Sequence, residues 1–222
     1  MTAIRIAERL DSSETAQVLD LIGAVTEADS VAPLSEHVLL HLRHGGDEGG
    51  RHLIATDTNG VMIGYAHLDM TDEVHGASAE LAVEPDHRRC GIGRRLVAAL
   101  IDATADGRLR LWAHGEQAAA TALAKSIGFT HSRVLWQMRR SLLRPLPDVS
   151  LPAGITLRTF MPGDDDAPWL ALNGRAFAGH PEQGEWSLID LHQRMSEPWF
   201  SPGGFLLAQS DTTGTLIGFH WT

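Results

Sequence analysis

Two distant stretches of this chain read as the same piece of structure. LIATDTNGVMIGYAHL runs from Leu53 to Leu68, and LLAQSDTTGTLIGFHWT runs from Leu206 to Thr222. Each gives an apolar strand, a polar turn and then Gly-x-x-x-Gly-aromatic, so Gly60 and Gly64 correspond to Gly214 and Gly218. Both patterns are those of a β-hairpin with a glycine-containing loop. A lone hairpin is marginal in water and needs a third strand or a packed helix. A repeated hairpin therefore implies that its supporting elements are repeated too.

The preceding residues meet that demand. A strand is expected at Ile4–Glu8. Asp11 and Glu14 have capping-box spacing ahead of a helix reaching about Thr26. Ser35 caps a second helix, Glu36 to about His44, whose buried side is set by Val38, Leu39 and Leu42. The second copy opens with a strand at Ile155–Phe160. Asp164, Asp165 and Asp166 follow where acidic residues favour a helix start, and helical stretches at Trp169–Phe177 and Ser187–Met195 lead to the last hairpin. Between the copies, LLRPLPDVSLPAG is a linker by composition, with Pro145, Pro147 and Pro152. The first copy continues past its hairpin and the second does not. The expected organisation is a complete domain at 1–143, a linker at 144–154 and the N-terminal half of a second domain at 155–222.

Composition narrows the partners. The net charge of -10 argues against nucleic acid, whose binding rests on neutralised phosphates. Cys90 is the only cysteine, which leaves no intrachain disulfide and no thiolate metal cage. The opening residues MTAIRIAERL carry charges within their apolar stretch, unlike a signal peptide, and no apolar run approaches the roughly 20 residues of a membrane span. The expectation is a cytoplasmic protein with small-molecule partners, no membrane and no metal.

The stretch that carries chemistry is AELAVEPDHRRCGIGRRLVAALIDATA. Leu81, Ala82 and Val83 form a short apolar strand that Pro85 ends. Arg88 to Gly93 make a basic, glycine-containing turn, after which Leu96, Val97, Leu100 and Ile101 recur at helical spacing. Glycines let backbone approach a ligand closely, and the first amides of a helix point outward unpaired. Together with the helix dipole this is anion-binding chemistry, to which Arg88, Arg89, Arg94 and Arg95 add charge. The alternative is a basic turn with its arginines in solvent. No Gly-Lys-Ser/Thr follows, so it is not a P-loop.

Arg88-x-x-Gly91-x-Gly93, set between a strand and a helix, resembles the acyl-CoA loop of the GNAT family of N-acetyltransferases. The order of strand, two helices, three strands and glycine loop matches that family, and AAATALAKSIGF, Ala118 to Phe129, resembles its fourth helix and closing turn. The resemblance implies an α/β fold with a mixed, mostly antiparallel sheet flanked by helices, and acetyl-CoA as cosubstrate. It implies that the pantetheine arm pairs with backbone at Leu81, Ala82 and Val83. It also implies that the pyrophosphate sits on amides of Arg89, Cys90, Gly91, Ile92, Gly93 and Arg94. Many members place a tyrosine, which protonates the departing CoA thiolate, four residues before the closing Gly-Phe. Here that position is Ala124, so the first site is expected to hold acetyl-CoA without turning it over. Glu80 is either a base or, as the plainer reading, a partly exposed strand carboxylate.

The resemblance narrows in the second copy. NGRAFAGHPEQGEW (Asn173 to Trp186), GFHWT at the end and VAPLSEHVL near the start resemble a branch of the family with two tandem acetyltransferase domains. That branch acetylates the cysteinyl amine of a cysteinyl-glucosaminyl-inositol, a thiol glycoside. The likeness implies substrate contacts from Glu36 and Glu182, whose carboxylates suit hydroxyls and an ammonium group. The bland readings are a first-turn glutamate and a solvated loop carboxylate. In that branch the productive glycine loop and thiolate-protonating tyrosine follow the second hairpin, so no catalytic residue is assigned here. A monomer is expected where the second domain is complete. Two other functions stay open: a silent acetyl-CoA-binding module, and another amine N-acetyltransferase working from the first domain. His37, His41 and His44 read as a solvated helix face, Cys90 as a non-nucleophile, and Trp169, Trp186 and Trp199 as packing. His180 is either a base or a loop-ordering residue. An unpaired edge at Leu216–Trp221 is an expected route to strand pairing between chains.

Overall fold

The computed structural model describes residues 2–45, 49–72, 76–141, 143, 145–179 and 181–222, without the side chains of Pro181 and Glu182. The chain divides into two compact units, Met1–Ser132 and Arg133–Thr222.

The first unit is built on a five-stranded sheet in the order β1-β2-β3-β4-β5. Its strands are β1 (Ala3–Ala7), β2 (Gly50–Thr56), β3 (Met62–Asp69), β4 (Ser78–Val83) and β5 (Arg110–Leu111). All neighbours are antiparallel except β4 and β5. Helices α1 (Ser12–Asp29) and α2 (Glu36–His44) cover one face. The other face carries α3 (Ile92–Ala103), and α4 (Ala118–Ile127) packs beside α3. The expected caps form: Asp11 and Glu14 bond reciprocally at the start of α1, and the Ser35 side chain accepts from the Val38 amide at the start of α2.

Strand alternation assigns the two faces, with its phase shifted at Ile63, where the β2–β3 register is irregular. Leu53, Ala55, Ile63, Ala66, Leu68 and Ala79 meet Ile92, Leu96 and Leu100 of α3. Ile54, Tyr65 and Ala82 meet Val18, Leu21, Ile22 and Val25 of α1, with Val38 and Leu42 of α2. Helix α3 comes closest at Gly64, where an added Cβ would lie 3.2 Å from both Ile92 Cγ2 and Leu96 Cδ1.

The second unit repeats the first three strands. Its sheet is β6-β7-β8: β6 (Ile155–Thr159), β7 (Phe205–Ser210) and β8 (Leu216–Trp221), all antiparallel. The repeat extends to register. Ala55 faces Gly64 in one hairpin and Ala208 faces Gly218 in the other, and each pairing is interrupted just after that alanine. Helices α5 (Asp166–Ala176), α6 (Pro181–Gly184) and α7 (Leu188–Met195) belong to this unit. Its core is aromatic: Phe205 stacks between Phe160 at 4.4 Å and Trp221 at 4.3 Å, with fully buried Trp169 edge-on. Arg158 on β6 donates twice to Asp165, at 2.6 and 2.7 Å, and holds its carboxyl below the usual range despite its burial. Between α4 and β6 the described residues form neither helix nor strand, and Trp136, Met138, Leu143 and Val149 stand exposed.

The structure corrects the reading of α2. Leu40 is buried with Val38 and Leu42, while Leu39 is only half-buried. His41 is not on a solvated face; its ring lies 5.9 Å from that of His67, edge-on. The cause is a cross-strand pair on the sheet below. His52 and His67 face each other across β2 and β3, with rings 5.5 Å apart, and both are buried. His52 bonds the Tyr65 hydroxyl at 2.7 Å, whereas neither ring nitrogen of His67 has a partner among the described residues. Burial, reinforced by neighbouring histidines, lowers His52 to about 4 and His67 to about 3.

Two predictions follow from this packing. Gly64→Ala should destabilise the protein by about 1 kcal/mol because α3 must give way. Gly218→Ala, whose Cβ meets only Ala208 Cβ at 3.7 Å, should be neutral or slightly stabilising; equal costs in urea unfolding would contradict the close approach. The histidines carry the second. They stay neutral in the folded state and take a proton in the unfolded chain below pH 6.5, so stability is full above that pH and falls as pH drops. His67→Asn should shrink the stability difference between pH 7.5 and 5.5 by about 1 kcal/mol, and an unchanged difference would show that His67 is not held neutral.

Candidate functional site

The site grows out of the one parallel pairing in the first sheet. Strands β4 and β5 match only at Ser78–Arg110 and Ala79–Leu111, and a last bond runs from the Trp112 amide to the Ala79 carbonyl, 3.0 Å. Beyond Ala79 the strands part. Along β4, Glu80 and Ala82 direct their backbone groups to β3, opposite His67 and Tyr65. Leu81 and Val83 therefore direct theirs to the vacated side. Among the described residues neither amide donates to another backbone carbonyl. The Val83 carbonyl is taken by Arg88 Nε at 3.2 Å. What remains on that edge is a short, ready row of peptide groups beside Leu81.

The row leads straight into the glycine loop. After the single 3₁₀ turn Pro85–His87, Arg89 has φ 63° and Gly91 has φ 81°, two left-handed residues flanking Cys90. Alternating handedness turns successive N–H groups to one side, the geometry of an anion-binding nest. Helix α3 starts at Gly91 with no side-chain cap, and its first internal bond runs from the Arg95 amide to the Gly91 carbonyl, 3.1 Å. The amides of Ile92, Gly93 and Arg94 precede it, so the positive end of α3 is uncovered. Gly93 is needed for packing as well: an added Cβ would lie 3.1 Å from Leu123 Cδ2 on α4.

The arginines divide differently from the expectation that all four add charge to the loop. Arg88 is committed, with two bonds to Asp29 at 2.8 and 2.9 Å besides the one to Val83. Arg94 bonds Ser126 Oγ at 2.8 Å, and Arg95 bonds the Thr2 carbonyl at 2.6 Å. Only Arg89 has no hydrogen bond or ion pair to a described residue. Cys90 is exposed.

Glu80 is not a partly exposed strand carboxylate. It is 7% exposed and accepts the Ser35 amide at 2.5 Å, with His114 Nε2 3.4 Å away. Burial pushes its carboxyl up, but His114 and the Ser35 amide together outweigh that and hold it below the usual range. Its role is to pin the N-terminus of α2 to β4. That places Glu36, the first residue of α2 and exposed, beside the tie. Ala124 lies in the last turns of α4, where its carbonyl accepts the Phe129 amide. The backbone of Glu182 belongs to α6 in the second unit, but its side chain lies outside the described residues, as does His180. In the same unit Trp186 carries the Arg194 guanidinium 3.7 Å above its ring, while Trp199 is half-exposed. Sequence reasoning missed the Glu80–Ser35 and Arg88–Asp29 contacts, whose partners lie 45 and 59 positions apart and carry no local pattern.

A splayed parallel pair, an open β4 edge and a glycine loop opening α3 are set in an acetyltransferase-type fold, and the comparisons agree on that fold. Residues 19–129 match the model of the acetyltransferase (GNAT) family, and the chain belongs to that family. A solved GCN5-related N-acetyltransferase from Sphaerobacter thermophilus superposes with a TM-score of 0.65 at 24% identity, over 97% of this chain and 70% of that one. Within the family, the chain is 55% identical over 216 residues to the mycothiol acetyltransferase of Acidothermus cellulolyticus, covering 96% of this chain and 65% of that protein. It is 53% identical over 215 residues to the mycothiol acetyltransferase of Salinispora arenicola, covering 97% of this chain and 69% of that protein. The chain thus spans about two thirds of the length of these relatives. Among the described residues no helix is long and apolar enough to cross a membrane.

Proposed function

We propose that this chain serves the transfer of an acetyl group from acetyl-CoA to the cysteinyl amine of a cysteinyl-glucosaminyl-inositol, the step that completes mycothiol. The observation that carries this reading is identity above 50% along nearly the whole chain to proteins named for that activity. In this reaction the neutral amine nitrogen attacks the thioester carbonyl carbon. A C–N bond forms, the C–S bond breaks, the amine gives up a proton and the CoA thiolate gains one.

The first unit supplies the acetyl-CoA cleft. The peptide groups of Leu81 and the amide of Val83 suit the amides of a pantetheine arm running along β4; Ala82, between them, is turned to β3 and serves as spacer. The amides from Arg89 through Cys90, Gly91, Ile92 and Gly93 to Arg94 suit a pyrophosphate at the positive end of α3. Glu36 and Glu182 are the carboxylates proposed to meet the sugar-inositol hydroxyls or the ammonium of the acceptor. Ala124 has no proton to give, so the first unit holds acetyl-CoA without serving the departing thiolate. This favours a binding role for that unit rather than its own N-acetyltransferase activity.

Equilibrium dialysis of the 222-residue chain with acetyl-CoA, followed by addition of the amine, tests the reading. About one equivalent should bind per chain, and Gly93→Val, which drives a branched side chain into Leu123, should weaken binding by more than about tenfold. Free CoA thiol should stay at the uncatalysed rate. Acetylated amine formed by the chain would overturn the assignment of Ala124, and absence of binding would overturn the acetyl-CoA cleft itself.

A further inference from the structure

Asp29, the last residue of α1, bonds both Arg88 at the root of the glycine loop and Gln117 at the start of α4. Its carboxylate takes both terminal nitrogens of Arg88, at 2.8 and 2.9 Å, and the remaining Nε–H of that guanidinium goes to the Val83 carbonyl at 3.2 Å. The pair is partly buried, with side-chain exposures of 32% and 18%. The Asp29 carbonyl receives Gln117 Nε2 at 3.5 Å, and Gln117 is the N-cap of α4. Ser30 then turns the chain with φ 56°. This brings Val31 against the loop that leaves β5, where a Cβ on Gly115 would lie 3.1 Å from Val31 Cγ1. One helix end therefore holds the last carbonyl of β4, the root of the glycine loop and the exit from β5.

Planar two-point pairing fixes direction as well as distance. With Asp29 in place, the Arg88 guanidinium has one orientation, and its Nε–H holds the Val83 carbonyl at the end of β4. Without it, Arg88 is free to leave Val83, whose peptide stays on β3 through the Glu84 amide, and the start of the glycine loop loses its tie to the end of β4. The same loss frees the loop at Arg89, whose left-handed backbone is held only by its surroundings.

We propose that Asp29 is a positioning residue for acetyl-CoA: through Arg88 it ties the start of the glycine loop to the end of β4, in the geometry that receives the pantetheine–pyrophosphate junction. This rests on reading the first unit as the acetyl-CoA cleft. Asp29 itself touches no ligand atom in this account, and the guanidinium it holds is spent on protein, not on phosphate.

The test measures acetyl-CoA affinity by equilibrium dialysis for the full chain and for Asp29→Asn, Asp29→Glu and Arg88→Lys, with the thermal midpoint of each. Asp29→Asn keeps the shape and removes the charge; Arg88→Lys keeps the charge but cannot span Asp29 and Val83 together. Both should raise Kd by about tenfold, and Asp29→Glu should recover part of the loss. Amide exchange of Arg95, whose N–H donates to the Gly91 carbonyl in the unliganded protein, should rise in Asp29→Asn while the β2 amides stay slow, a local change that general destabilisation would not produce. Unchanged affinity in both folded variants, or tighter binding because a released Arg88 reaches the phosphates, would overturn the proposal. If the unsubstituted chain binds no acetyl-CoA, the cleft reading falls first and takes this proposal with it; if it binds and the variants bind equally well, only the role of Asp29 falls.

Discussion

The parting of β4 from β5 organises the first unit. Two residue pairs and one further backbone bond join these strands before they separate. A parallel pair interrupted this early leaves peptide groups without partners, which is costly unless water or a ligand satisfies them. Leu81 and Val83 lie where that happens, and the chain is built to keep the gap open. Helix α3 supports β4 from one face, the end of α1 holds Arg88 against Val83, and Gly115 lets the chain leaving β5 pass close to Val31. The glycine loop then places uncapped helix amides at the end of the gap. A ligand with amides along one part and phosphates at the next fits that sequence of peptide donors. The family to which the chain belongs transfers acetyl groups from such a ligand.

Glu80 shows how the same strand serves both sides of the sheet. Its neighbours Ala79 and Leu81 face α3, while its own side chain faces α2 and is tied to Ser35. The strand that bears the proposed acyl-CoA edge thereby also fixes the helix start that bears Glu36. Burying a carboxylate is expensive, and the Ser35 amide with nearby His114 offsets that cost. A neutral histidine pair, His52 and His67, lines the same face. Polar groups at this depth make the α2 side of the sheet sensitive to acid, while the buried cluster under α3 is made of apolar side chains.

Much of this was legible in the sequence because it is written in local patterns. The capping residues Asp11, Glu14 and Ser35, the glycine turns and the alternating hairpins each signal within a few positions; the helix starts fall where expected, while α1 runs three residues past Thr26 to Asp29. The repeat was legible for the same reason in Gly60 and Gly64 against Gly214 and Gly218, whereas the alanines facing Gly64 and Gly218 emerge only from the strand register. What stayed hidden depends on contacts between distant positions. Nothing in Arg88 says that it is committed to Asp29, and nothing in His41 says that a buried histidine waits beneath it on β3. Leu40 misled because helical periodicity alone supposes one buried stripe, whereas α2 is buried on a wider arc. Asp165 read as a helix-start acid, yet its stronger tie is to Arg158 on β6.

The central claim is that the open edge of β4 and the amides opening α3 form one acetyl-CoA cleft. Residue-resolved amide exchange of the chain with and without acetyl-CoA tests it most directly. The account predicts that Leu81 and Val83, together with Ile92, Gly93 and Arg94, become protected on binding. Ala82, already turned to β3, should not change. Binding that protects Ala82 and its neighbours alike, or that leaves Leu81 and Val83 exchanging as before, would contradict it.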